Sequence, residues 1–145
     1  MVGKTYYQSD RALDLILGQT VVGASTTYVG LFTTNPNGDG DLGSLQGGTW
    51  EESTLDRVLV SDDGTTQPYW SGKSSESNKR IVSNVGTISW TTASSYVSET
   101  IVGVGIWDHI SAGNLLYWEP LDSSRVVVAN QELAFTTGNF KVRED

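Results

Sequence analysis

The chain reads as an all-β domain, an antiparallel β-sandwich or jelly roll of about eight or nine short strands, with one short helix near its N-terminus. Three observations predict this. Short runs rich in Val, Ile, Thr, Tyr and Trp recur at fairly even spacing between Gly, Asn and Asp turn signals. Sixteen glycines and three prolines, with five tryptophans and six tyrosines, favour strands joined by tight turns over a helical bundle. Residues 100–118 read as the central hairpin of the sheet. Their alternation puts Ile101, Gly103, Gly105 and Trp107 on one face and Val102, Val104 and Ile106 on the other. Both faces are apolar or glycine, the mark of a strand packed above and below, and the glycines predict a chain segment or large ring lying close over their face. Residues 108–114 make the polar connection and residues 115–118 the returning strand.

A length of 145 residues fits a single domain, 1–145, of which 1–25 form an N-terminal arm and the helix. A chain of this size buries roughly 68–70% of the surface its unfolded form exposes, enough for a core without staples. There is no cysteine, so neither a disulfide framework nor a thiolate metal site is available. The formal net charge of −8 opposes nonspecific binding to nucleic acid, which requires Lys and Arg to neutralise phosphates. No run of about 18 apolar residues spans a bilayer, and the first ten residues lack the apolar core of a secretory signal. The expectation is a protein made soluble in the cytoplasm of the cell that produces it, with no membrane and no nucleic-acid partner.

Taken in order, Ser9-Asp10 ahead of residues 11–18 predicts a short capped helix with Gly18 just past its last turn. Ala12, Leu13, Ile16 and Leu17 share one stripe. Two turns are unstable alone, so the stripe is expected to cap its own β domain, the alternative being a neighbouring subunit. Residues 26–34 form a strand that breaks at Asn35-Pro36. Its Val29-Gly30-Leu31-Phe32 parallels Val104-Gly105-Ile106-Trp107, a glycine thinning the sheet beside an aromatic that fills the gap. Residues 39–48 are loop, 55–61 a strand, 62–64 a turn, and 66–71 a weaker edge strand around Pro68. Residues 71–80 read as the most mobile segment. A strand at 81–83, a turn at Asn84 and a strand at 85–91 follow, with Ile88 and Trp90 on one face. After the polar residues 92–98 and the hairpin, 125–129 and 131–137 flank Asn130 with Leu133 and Phe135 inward, and 139–143 make a final edge strand.

Few residues invite chemistry. Asn35-Pro36-Asn37-Gly38-Asp39-Gly40-Asp41 alternates oxygen donors like the start of a calcium loop, but the twelfth place holds Gln46 instead of a bidentate carboxylate, so an ordinary turn is expected. The only histidine, His109, adjoins Asp108, yet no serine is marked as a nucleophile and no cysteine exists. Glu51-Glu52 and Asp62-Asp63 read as solvated acids and not as a glycosidase pair across a cleft. Trp50, Tyr69, Trp70, Trp90, Trp107, Tyr117 and Trp118 are expected to serve core and subunit interface, a sugar-stacking platform being the alternative. Lys73, Lys79 and Arg80 make too small a basic cluster for nucleic acid. No catalytic, cofactor-binding or metal residue is assigned.

The blocks Ala12-Leu13-Asp14-Leu15-Ile16-Leu17-Gly18, Tyr28-Val29-Gly30-Leu31-Phe32-Thr33-Thr34-Asn35-Pro36 and Gly47-Gly48-Thr49-Trp50 resemble the opening of a family of small phage virion proteins. Ser83-Asn84, Ile88-Ser89-Trp90, Val104-Gly105-Ile106-Trp107-Asp108 and Gly113-Asn114-Leu115-Leu116-Tyr117-Trp118 follow that family's order and spacing. Members are often labelled tail fibre proteins. The resemblance spans residues 12–140. It departs at residues 54–80, longer and more polar than the family pattern, and at Asp108-His109-Ile110, where small residues are common.

That resemblance implies a virion structural role and carries over no catalytic residue. The leading expectation is a capsid decoration or cement protein, not an enzyme and without cofactor, binding the major capsid protein on the capsid exterior as a homotrimer. Tyr6, Tyr7, Leu13, Ile16 and Leu17 are the expected capsid or subunit contacts. The alternative is a tail fibre or baseplate domain whose Trp50, Tyr69 and Trp70 touch a host receptor. A glycan-active enzyme is a third, distant class.

Overall fold

The structure, a computed structural model, describes residues 3–4, 6–20, 26–36, 50–61, 63–77 and 79–144, with side chains from 11 to 143. Strands are numbered in chain order. One layer is an antiparallel sheet in the order β1 (Gly3–Lys4), β10 (Leu115–Val127), β9 (Glu99–Trp107), β2 (Thr27–Thr34) and β3 (Glu51–Glu52), with β4 (Val58–Val60) also on β2. Facing it, β8 (Ile88–Thr91) pairs with β11 (Glu132–Phe135). Beside that pair, β7 (Lys79–Val85) bonds to β12 (Lys141–Glu144), β5 (Tyr69–Trp70) and β6 (Ser74–Glu76). The helix, α1 (Tyr6–Ile16), follows β1. The expected all-β sandwich with one N-terminal helix is what forms. Its twelve strands among the described residues exceed the expected eight or nine because β1 and β3 have only two residues each and β6 three, too short to leave a periodic pattern.

The predicted hairpin is central: β9 lies between β10 and β2. The two similar segments pair with each other, Val29 opposite Ile106, Gly30 opposite Gly105 and Leu31 opposite Val104. The ring expected over the glycines is Trp107's own. A Cβ added at Gly105 would meet its Cη2 at 2.7 Å, and one added at Gly30 its Cζ3 at 2.9 Å. On the opposite face of the sheet, Val29, Leu31, Val104, Ile106 and Leu116 join Ile88, Trp90, Phe140 and Val142 in the main core between the layers. Phe32, Trp107 and Trp118, with Trp50 edge-on to Phe32 at 5.6 Å, form a smaller cluster on the glycine face.

Three local expectations give way. Asn84 makes no turn: β7 runs straight through it, and the chain reverses at Gly86, whose φ is +85°. Asn84 is fully buried; its Nδ2 donates to the carbonyls of Gly86, Phe135 and Thr136, and its Oδ1 accepts from the Phe140 backbone. A side chain with that many backbone partners prefers the core to a turn. Residues 71–80 contain β6, which turns at Ser77 into β7. Glu76 anchors it across the sheet to Lys141 and Arg143, pairings between residues distant in sequence. The helix begins at Tyr6, so Ser9 and Asp10 lie inside it; pairing of Gly3 and Lys4 with β10 fixes the chain one turn earlier than the capping signal suggests.

Candidate assembly surface

The most exposed apolar element is α1. Its C-terminal end closes as expected, with Gly18 at φ +73° and Gln19 N–H donating to the Asp14 carbonyl at 2.8 Å, the double-bonded glycine cap. The cap fixes where the helix stops, yet it leaves the stripe uncovered. Leu13 is 57% exposed, Ile16 80% and Leu17 73%. The expectation that the stripe caps its own domain is therefore corrected: α1 is joined to the sandwich through β1 and its contacts with β10, and turns Leu13, Ile16 and Leu17 to solvent. Tyr6 and Tyr7 occupy the first turn of the helix; their side chains lie outside the described residues.

A second apolar feature opens where the two layers part. Ile81, Val82 and Val142 from the facing layer, Leu116 and Tyr117 from β10, and Trp70 line a cleft of about 310 Å³. Exposed Lys73 and Arg80 stand at it. In the sequence these two are part of a small basic cluster. That they border an apolar cleft follows only from the assembly of β7, β10 and β12, so no sequence signal marks it.

The remaining candidates resolve into structure. Both Asp108 oxygens are engaged by Asn114, through its backbone N–H and its Nδ2, closing the hairpin connection. Exposed His109 accepts from the N–H groups of Ser111 and Ala112 through Nδ1, so Asp108 does not orient it. Glu52 pairs with Arg57 while neighbouring Glu51 is exposed, and Asp62 lies outside the described residues. Asp63 accepts from Thr65 and Thr66, bonds that hold its carboxyl well below the usual range, Thr66 contributing most. Of the calcium-like stretch, residues 37–41 and Gln46 lie outside the described residues; Asn35 donates to the Val102 carbonyl at 3.1 Å. Among the described residues no group of three or more His, Asp or Glu gathers as for a metal ion.

The tryptophans are structural. Trp90, Trp107 and Trp118 are buried, and Trp90 Nε1 donates to the Asp56 carbonyl. Trp70 donates to Thr27 Oγ1 at 2.7 Å and packs on Phe140, while Trp50 packs on Phe32. Trp90, Trp107 and Trp118 fill the core role expected of these rings, while Trp50, Tyr69, Trp70 and Tyr117 are half-buried.

A β-sandwich that buries Trp90, Trp107 and Trp118 in its own interior and presents an apolar helix beside its sheet is the class of protein the chain defines. Its relatives are phage proteins. Residues 3–143 match the family described as podophage GP4 fiber I protein gp80, and the chain belongs to that family, whose members are fibre-type proteins of the phage virion. No curated protein matches the chain. The resemblance drawn from the sequence to phage virion proteins labelled tail fibre is thus upheld across nearly the whole length.

Proposed function

We propose that this protein is a non-enzymatic structural subunit of a phage fibre, built into the particle through α1. One observation carries the reading: a helix with Leu13, Ile16 and Leu17 in water, on a chain whose family is a fibre protein family. Exposed apolar side chains gathered on one short helix, Leu15 on its other side included, gain free energy when a partner removes them from water, whereas scattered ones need no explanation. A homotrimer is the proposed assembly, in which closed symmetry repeats a modest contact around the ring. No cofactor enters the proposal.

Decoration of the capsid exterior, with the major capsid protein as partner, is the second reading. It is favoured by the shape of the described chain, one short-stranded sandwich without a long helix or stacked repeats, which suits a knob on a shell. Imaging intact virions by cryo-electron microscopy with gold-labelled antibody separates the two. Label at the tail is the expected result, and label spread over head symmetry axes would replace the fibre reading with decoration. Deleting residues 1–18 is expected to abolish incorporation in either place, while incorporation of the truncated chain would refute the role given to α1.

A further inference from the structure

Helix and cleft have complementary chemistry on one chain. Leu13, Ile16 and Leu17 stand at i, i+3 and i+4, the spacing with which a helix lays anchors into a groove. Asp14 flanks that stripe, about 60° around the helix from Leu17, and is exposed; Asp10 stands one turn before it. The cleft offers the reverse, an apolar floor of Ile81, Val82, Leu116 and Val142 with Lys73 and Arg80 beside it. Cations grouped at the edge of an apolar cleft are conspicuous on a chain of net charge −8.

We infer that the partner of α1 is a second copy of this chain, whose cleft receives Leu13, Ile16 and Leu17 while Asp14 meets Lys73 and Arg80. This deepens the proposed fibre function and rests on its reading of α1 as the assembly element. The contact is head-to-tail, because helix and cleft are different patches. Such contacts close into rings when the rotation permits and otherwise run on as filaments, both fitting for a fibre. Asp14 supplies register, since a like charge at that position would oppose the cations.

The chain has no cysteine, which makes a direct test available. Asp14→Cys and Lys73→Cys replace exposed residues, so each single variant of the full chain is expected to fold. Mixed in equal amounts under mild oxidation, the two variants should form the mixed disulfide dimer well in excess of either self-pair. The double variant should give a ladder of linked chains on a non-reducing gel. A disulfide confined within single chains of the double variant would show α1 closing on its own cleft and overturn the inference, as would mixed dimer no more abundant than self-pairs. Separately, Ile16→Asp should weaken self-association in sedimentation by about tenfold or more, the burial of one Ile side chain being worth that much. Unchanged self-association would count against the contact. Particles labelled at the tail but chains that never cross-link would refute this contact and leave the fibre reading standing.

Discussion

The guanidinium of Arg57 lies over the Trp107 ring, 4.2 Å from its centre. The same group bonds to both Glu52 oxygens and donates to the carbonyls of His109 and Ala112 at 2.7 Å each. One ring, resting on Gly30 and Gly105, thus joins the central strands to the hairpin connection beyond them through a single cation.

Packing this close allows no additional carbon. In Gly105→Ala the new Cβ would stand 2.8 Å from Leu115 Cδ1 as well as against the Trp107 ring, and in Gly30→Ala it would meet Arg57 Cγ at 3.0 Å. Each variant should lose about 1–3 kcal/mol in urea unfolding, the usual cost of overpacking. Gly72→Ala is the control. Nothing lies within 4 Å of its Cβ position, and stability should change by less than about 0.5 kcal/mol.

Arg57→Lys retains the charge but loses the planar fork. A lysine cannot stack flat on Trp107 while bonding Glu52 and two carbonyls. With the Arg57 side chain only 7% exposed, losing its fork to half-buried Glu52 should cost about 1 kcal/mol, the exposed carbonyls of His109 and Ala112 turning to water instead. Amide hydrogen exchange is expected to quicken in residues 108–114 more than in β8 and β11, whereas uniform quickening would deny the local role.

The sequence disclosed what repeats at short range. Alternation along residues 103–107 placed the central strand, but it misassigned its start: Ile101 packs in the main core with Val104 and Ile106, and Val102 packs beside Phe32 and Trp107. The Gly-then-aromatic spacing foretold a ring over the sheet, and Gly18 marked the helix end. Long-range pairing stayed hidden. Nothing near Asn84 announces that its partners are Phe135, Thr136 and Phe140, and nothing near Glu76 announces Lys141 and Arg143. The candidate surface was half legible: Leu13, Ile16 and Leu17 show their stripe in sequence, but whether α1 is covered depends on strands remote from it, and the cleft beside Lys73 and Arg80 exists only once β7, β10 and β12 are assembled.

Acid should weaken the fold partly through Glu99. Burial pushes its carboxyl up, but hydrogen bonds from Ser53, Tyr96 and Thr54 outweigh burial and hold it below its ordinary 4.5. A lowered folded pKa contributes stability that is complete above the unfolded value and is lost as pH falls through the folded one. Urea midpoints should therefore decline as pH drops below about 4.5. Glu99→Gln should start less stable at neutral pH and show a shallower decline, and an unchanged slope would assign the acid sensitivity to other carboxylates.

Asn84→Asp reverses that pH dependence at one buried site. The amide Nδ2 faces the carbonyls of Gly86, Phe135 and Thr136, and a carboxylate there would set charge against three acceptors with no donor of its own. Desolvation and those acceptors raise the folded pKa of the introduced group above its unfolded value of about 3.9. The protonated acid can still donate one bond, so the variant should lie nearest the parent at low pH. Its deficit should widen as pH rises from about 4 until the folded group ionises or the chain unfolds. Urea unfolding of parent and variant from pH 3.5 to 8 measures this directly. A deficit independent of pH would mean that lost donation alone, without buried charge, accounts for the damage.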